Sequence, residues 1–246
     1  MSHKISSAWA TPTAAARQTQ DCRFYLAMAI ASTLLVFLGF ARSYYLKSYF
    51  APQPLRPLLH IHGIVFTAWM ILFVAQTALI ASDRTEVHRR LGYAGAFLAT
   101  AMLILGLLAA FSAERLGHGN ALTNSDTVFL ISLIDIFTFA LFVAFGFVWR
   151  RNREAHQRLM LLAVVAGRLA AAIPRLPLIG GRPAGMAIVG LGFLFAGPIY
   201  DLITRRRVHP AYVWGCLFAL LTFVPVRIAL AATPQWQRIA HGLIRL

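Results

Sequence analysis

Acidic residues and cysteines are both scarce in this chain of 246 residues. It has 8 Asp and Glu against 23 Lys and Arg, and charged residues make up 13% of it, where about 25% is typical of soluble domains. The two cysteines, Cys22 and Cys216, lie far apart and outside any CxxC motif. A disulfide framework and a thiolate metal cluster are therefore excluded. No linker or low-complexity tract indicates a second domain.

Hydrophobic residues, by contrast, make up 59% of the chain, and its mean hydropathy is +0.68. Ordinary soluble domains contain about 45–50% apolar residues. A soluble core of this length cannot hide so much apolar surface, so a soluble enzyme is excluded, together with disorder and a coiled coil. The composition predicts a polytopic membrane protein.

Seven apolar runs have lengths near the ~20 residues that cross a bilayer core. Because an α-helix satisfies its own backbone in lipid, they predict an all-α, polytopic transmembrane helix bundle. The predicted spans are Phe24–Ala41, Leu58–Ala81, His88–Phe111, Thr127–Trp149, Ala155–Ile173, Ala184–Leu202 and Ala211–Ala231. Residues 1–23 are expected to form a polar segment without a separate signal peptide. Residues 24–231 form the membrane domain, and residues 232–246 form a short tail.

The basic residues indicate the topology of the bundle. One side receives 13 of the 23 and the other receives 8, with two inside spans. The richer side is predicted to be cytoplasmic, which places the N-terminus inside and the C-terminus outside, in the periplasm. The bases lie between apolar runs and not on one amphipathic face. They therefore favour anionic lipid headgroups as partners and disfavour nucleic acid.

Three histidines open predicted helices on the cytoplasmic side: His88, His156 and His209. The positive end of the helix dipole disfavours a protonated imidazole there, and neutral imidazole is the form that binds metals and haem iron. We therefore predict a cofactor or metal site at these histidines, with Asp201 as a further metal ligand or an orienting group. His62, near the opposite face, is a further cofactor-binding candidate. The alternative role for such histidines is to cap helices and contact headgroups.

A second group of polar residues lies within the membrane, on four different predicted helices: His62, Asp135, Arg168 and Arg227. Intramembrane charges are costly and usually face the bundle interior in pairs. Asp135 is therefore predicted to pair with Arg168 or Arg227, which leaves one arginine for a carboxylate, a haem propionate or a quinone oxygen. Gln76 shares a helix face with His62 and is assigned to the same buried polar site. A structural salt bridge with interhelical hydrogen bonds is the alternative.

Short motifs that combine histidine, arginine and leucine recur along the chain. They are His60-Ile61-His62-Gly63, His88-Arg89-Arg90-Leu91-Gly92, His156-Gln157-Arg158-Leu159-Met160 and Arg207-Val208-His209-Pro210, accompanied by Trp69, Gln76 and Tyr200-Asp201-Leu202. From about Phe40 to the C-terminus, this set resembles an uncharacterised family of bacterial multi-helix inner-membrane proteins. The resemblance implies a multi-pass location in a bacterial inner membrane.

The helix-borne histidines are also similar to those of membrane b-type dihaem cytochromes, which implies haem b as the cofactor. Those cytochromes place a pair of histidines on each of two helices. Here the outer half of the membrane offers mainly His60 or His62.

Three functions follow from these patterns. The first is redox or cofactor-binding chemistry at the histidines, with haem b or a divalent metal and with a membrane redox partner or a second copy of the chain. The second is a carrier of small solutes or ions that uses the buried Asp/Arg site. The third is an accessory or assembly subunit of a respiratory complex. The sequence does not decide whether the protein is an enzyme.

Overall fold

The computed structural model describes residues 14–50, 54–117, 124–167 and 169–244, and within these ranges the regular structure is entirely helical. The α-helices are α1 (Ala14–Phe40), α2 (Lys47–Phe50), α3 (Pro57–Ala81), α4 (Thr85–Arg115), α5 (Ser125–Val148), α6 (Arg153–Gly167), α7 (Leu169–Ala172), α8 (Pro183–Arg205), α9 (Pro210–Leu221), α10 (Val224–Ala231) and α11 (Pro234–Ile244). A π-helical turn, Ala41–Tyr45, follows α1, and a 3₁₀ turn, Ile173–Arg175, follows α7.

Within the ranges that the structure describes, seven helical segments are long and apolar enough to cross a membrane, which confirms the predicted all-α bundle. They are Ala15–Tyr45, Pro57–Ala81, Thr85–Arg115, Ser125–Val148, Arg153–Arg175, Pro183–Arg205 and Pro210–Ala231. Successive spans run in opposite directions, so residues 82–84, 149–152 and 206–209 lie at one end, which we call the basic end. Its orientation toward the cytoplasm stays a prediction.

The fifth span lies at the centre of the bundle. Its first helix, α6, contacts α1, α5, α8 and α9, and Leu162, Ala163 and Val164 are almost completely buried. Protein surrounds this helix where lipid would surround an outer one. This environment explains why the span tolerates the charged residue Arg158.

Proline acts differently in the last two spans. Pro198 lies inside α8, which nevertheless continues to Arg205. The seventh span, predicted as one run, is divided at Phe223 into α9 and α10, and Pro225 occupies the first turn of α10. Proline is favoured at that position because the first amide groups of a helix have no partner within the helix.

Two described segments outside the predicted spans, one on each side of the membrane domain, are helical. Helix α1 begins at Ala14, inside the segment expected to be only polar, and its first residues include three alanines, which favour helix. The predicted tail contains α11, which packs Trp236 and Ala240 against α4 and α5. The indole N–H of Trp236 donates to the carbonyl of Asp126 at 3.0 Å.

A glycine allows α5 and α6 to approach closely. A Cβ atom at Gly167 would lie 2.9 Å from the main chain of Phe139. Small residues at such points let transmembrane helices pack at short range. This contact holds the last turn of α6 against the middle of α5. Nearer the start of α6, Gly146 of α5 approaches Met160 in the same way.

Candidate functional site: a histidine pair in a cavity at the basic end

A cavity of about 1030 Å³ lies at the basic end of the bundle. Its walls come from α1, α3, α4 and α6, together with Phe147 of α5. The inner wall is largely apolar, with Trp69, Leu72, Phe73 and Met160 among its residues. His88, His156 and Gln76 lie on the same wall. The cavity therefore joins an apolar interior to two imidazoles.

His88 and His156 face each other across helices α4 and α6. Each lies three residues after the first residue of its helix, so both occupy the same level at the basic end. Their ring centres are 6.2 Å apart and their ring planes are inclined at 81°. The structure thus brings together two of the three histidines that were predicted to converge.

The hydrogen bond of His156 defines which of its nitrogens carries a proton. Nδ1 lies 2.8 Å from the carbonyl oxygen of Gly146 on α5. Because a carbonyl only accepts, Nδ1 donates its N–H, and Nε2 carries the lone pair of the neutral ring. Histidines that bind metals almost always make this kind of bond with their other nitrogen.

Gln76 of α3 is the side chain that contacts His88. The amide is assigned the orientation in which its nitrogen faces acceptors and its oxygen faces a donor. In this orientation Nε2 of Gln76 donates to Nδ1 of His88 at 2.8 Å and to the His88 carbonyl at 3.2 Å. The amide oxygen accepts from the backbone N–H of Gly92 at 3.2 Å. Nδ1 of His88 is therefore an acceptor, and the proton of the neutral ring lies on Nε2.

The position of Gln76 corrects one prediction. It was expected beside Asp135 and Arg227, and it contacts α4 at the histidine pair instead. His62 and Gln76 are 14 residues apart, which is twice the seven-residue spacing that predicts a shared face of α3. However, the two residues are about 21 Å apart along the helix at 1.5 Å per residue, so that face meets different neighbours at its two ends.

Arginines surround the outer part of the cavity: Arg89, Arg90, Arg150, Arg151 and Arg153. The lining contains only two acidic residues, Asp83 and Glu86. Glu86 forms an ion pair with Arg90 at 3.2 Å, but both side chains are well exposed, so the pair is weak. The positive excess favours anionic groups at this position.

Arg158 and Asp201 form a fully buried ion pair between α6 and α8, and both side chains are 0% exposed. The guanidinium donates to the two carboxylate oxygens at 2.9 and 2.6 Å. The backbone N–H of His209 also donates to Asp201, at 3.1 Å. Three of the motifs found in the sequence therefore meet in one structural contact.

His209 serves as the N-cap of α9, because its Nδ1 accepts from the N–H of Ala211 at 3.1 Å. Burial lowers the pKa of His209, and the positive field of Arg158 lowers it further. Because Nδ1 accepts, the ring is in its neutral form, and it acts as a helix cap, the alternative that the sequence left open.

The three-histidine metal site predicted with Asp201 does not form as expected. Across the described ranges, no three side chains of His, Cys, Asp and Glu lie close enough together to hold a metal ion. Asp201 binds Arg158, and His209 caps α9. Side chains at the starts of three helices lie at the same depth in the membrane. They do not all point to one site, because each helix turns a different side toward its neighbours.

The predicted buried ion pair is present between Asp135 of α5 and Arg227 of α10. Arg227 also donates to the carbonyls of Thr222 and Ile131. These bonds distribute the donors of the guanidinium among acceptors of α5 and of the turn before α10. Such an arrangement is typical of a structural bridge between helices, and the carrier function stays a prediction.

Two other predicted site residues lie apart from the histidine pair. His62 is near the start of α3, at the opposite end of the bundle, and its ring lies 6.2 Å from that of Phe66. Arg168, the alternative partner of Asp135, lies outside the described residues.

Sequence reasoning missed the contribution of α1 to the cavity. Tyr25 lines the wall, and its hydroxyl lies 3.2 Å from that of Tyr212. Cys22 lies beside it and accepts from Arg153 at 3.5 Å. Tyr25 and Ser32 are seven residues apart in the first apolar run, and both are buried. This spacing was the available signal for the inward face of α1.

Comparisons of this chain with protein-family models, with curated proteins and with solved structures found no match.

Proposed function

We propose that this integral membrane protein binds one haem b in the cavity at the basic end, between His88 and His156, and serves electron transfer. The resemblance of its motifs supports a bacterial inner membrane as the location. When bound, haem supplies one-electron chemistry, whose potential depends on the axial ligands and their surroundings.

The distance between the two imidazoles carries this proposal. Two imidazoles that bind one metal from opposite sides, each through a bond of about 2 Å, have ring centres roughly 6 Å apart. The centres of His88 and His156 are 6.2 Å apart. His156 also has the protonation of a metal ligand, since Nδ1 donates to Gly146 and leaves Nε2 as the lone-pair donor.

The number of protein ligands favours haem over a divalent cation. Protein sites for zinc typically use three or four side-chain ligands, and the described residues contain no group of three. A porphyrin supplies four nitrogens itself, so two histidines suffice.

The size and charge of the cavity support the same ligand. Its volume of about 1030 Å³ lies at the upper end of the range of about 300–1,000 Å³ that small-molecule and cofactor sites occupy. The apolar wall suits a porphyrin ring, and the surrounding arginines suit its two propionates.

The test is an absorption spectrum of protein purified from haem-supplied cells, combined with haem and metal analysis. We expect one haem per chain and a low-spin spectrum of the kind given by two axial imidazoles, which sharpens on reduction. His88→Ala and His156→Ala should each abolish the low-spin spectrum. His60→Ala, at an exposed histidine of the opposite end, is the matched control and should retain it.

Colourless protein that folds normally would contradict the proposal. Protein that contains a stoichiometric divalent metal and no haem would show that the histidine pair binds that metal instead of haem.

A further inference from the structure

We propose that the two histidines are unequal ligands, and that His88 is an exchangeable one whose position on the iron a small neutral molecule can take. Carbon monoxide is the laboratory probe for this class, which comprises neutral diatomic gases. The inference rests on the proposed haem site. It adds the class of molecule that can replace His88 and the residue, Gln76, that sets how strongly His88 binds.

The inequality begins with the hydrogen bonds of the two rings. His156 donates from Nδ1 to Gly146, so its Nε2 already offers a lone pair. His88 accepts at Nδ1 from the amide nitrogen of Gln76, so its Nε2 holds the proton. With the amide of Gln76 in this orientation, His156 is ready to bind a metal through Nε2 and His88 is not.

Two changes are needed before His88 can bind iron through Nε2. The proton must leave Nε2 and one must be taken up at Nδ1, which leaves the ring neutral and the proton count unchanged. The amide of Gln76 must also turn over, so that its oxygen accepts from the new Nδ1–H.

The turned amide loses its other two bonds. Its nitrogen no longer donates to the His88 carbonyl, and its oxygen no longer accepts from the N–H of Gly92. Binding by His88 is therefore opposed by contacts between α3 and α4, whereas binding by His156 uses a bond that is already made. His88 therefore gains less free energy than His156 when it binds the iron, and a competing molecule displaces His88.

The position of His88 also allows exchange. It lies in the first turn of α4, next to the loop 82–84, and it is half-buried. The cavity extends beyond it along α3 to Trp69, so a diatomic molecule has room on the same wall.

The test uses carbon monoxide with the reduced haem protein and three variants. Wild-type protein should bind carbon monoxide at a rate that saturates with its concentration, because departure of His88 limits the reaction. In Gln76→Glu, the carboxylate always accepts from Nδ1–H and strengthens His88 as a ligand. We expect this variant to bind carbon monoxide at least tenfold more slowly and to have a lower midpoint potential.

Gln20→Glu is the matched control, because Gln20 is exposed near the start of α1, at the same end of the bundle, and is not among the residues that line the cavity. It adds the same charge and should leave the rate of carbon monoxide binding within a factor of two. Alanine variants give a second measurement: His88→Ala should keep haem in a high-spin, five-coordinate form, and His156→Ala should lose it.

The outcomes separate this inference from the proposed function. Wild-type haem that stays inert to carbon monoxide, or equal haem loss in both alanine variants, would overturn the inference and leave the haem site intact. Protein without haem would overturn both.

Discussion

At the scale of single residues, two buried aspartates are each paired with an arginine of another helix. Asp135 and Arg227 lie on α5 and α10, and Arg158 and Asp201 lie on α6 and α8. An uncompensated charge inside a membrane is expensive, so each pair ties two helices together.

The pair of Asp135 and Arg227 makes a prediction at this scale. Asp135→Ala leaves the guanidinium buried without its counter-ion, and removal of one partner of a buried pair typically costs about 3–5 kcal/mol. We expect a large drop in the melting temperature of detergent-solubilised protein for Asp135→Ala and for Arg227→Ala. The double variant should be less destabilised than the sum of the two.

Glu86→Ala is the control for this series, because it removes a carboxylate whose side chain is 64% exposed. Its melting temperature should match that of the wild type. Losses that simply add in the double variant would show that the two charges do not interact.

At the scale of helices, the contact of Arg158 with Asp201 positions the start of α6, and His156 lies on that same turn. Asp201→Asn removes the charge partner of a guanidinium that is 0% exposed. We expect destabilisation of about 3–5 kcal/mol. We also expect weaker retention of haem, because the first turn of α6 is no longer held against α8. Thermal unfolding and the absorbance of the purified haem protein measure the two effects.

Arg207→Gln is the comparison for the effect of Asp201. Arg207 is exposed in the loop that follows α8, at the same end of the bundle. Its replacement should lower the melting temperature only slightly and leave haem binding unchanged. An equally large loss of haem in this variant would assign the effect to general loosening of the basic end.

At the scale of the whole molecule, the topology makes a prediction. The excess of basic residues predicts that residues 82–84, 149–152 and 206–209 lie in the cytoplasm. Single cysteines at Ser82, Arg151 and Arg207, in a chain without Cys22 and Cys216, should resist an impermeant thiol reagent in intact cells. A cysteine at Arg182, which is exposed at the opposite end, should react. Reversed labelling would invert the predicted orientation and place the cavity between His88 and His156 at the opposite face of the membrane.

The lengths of the apolar runs predict most of the helices. The helical segments that they do not predict were missed for one common reason. The boundaries of α3 and α5 lie close to the predicted spans. The amphipathic helix α11 and the start of α1 were missed because their residues are mixed in polarity. Their helical state depends on propensity and on contacts with the bundle, which a search for apolar runs does not detect.

Composition and residue order by themselves determined that this chain crosses a membrane seven times, that its charges are concentrated at one end, and that Asp135 needs an arginine. These follow from the cost of exposing polar groups to lipid, which acts on each segment separately. Only the tertiary structure decided which side chains contact each other. It brings His88 beside His156, hydrogen-bonds Gln76 to His88, and joins Asp201 to the backbone of His209. A helix has one sequence but several neighbours, and the rotation of each helix in the bundle decides which side chains face each other.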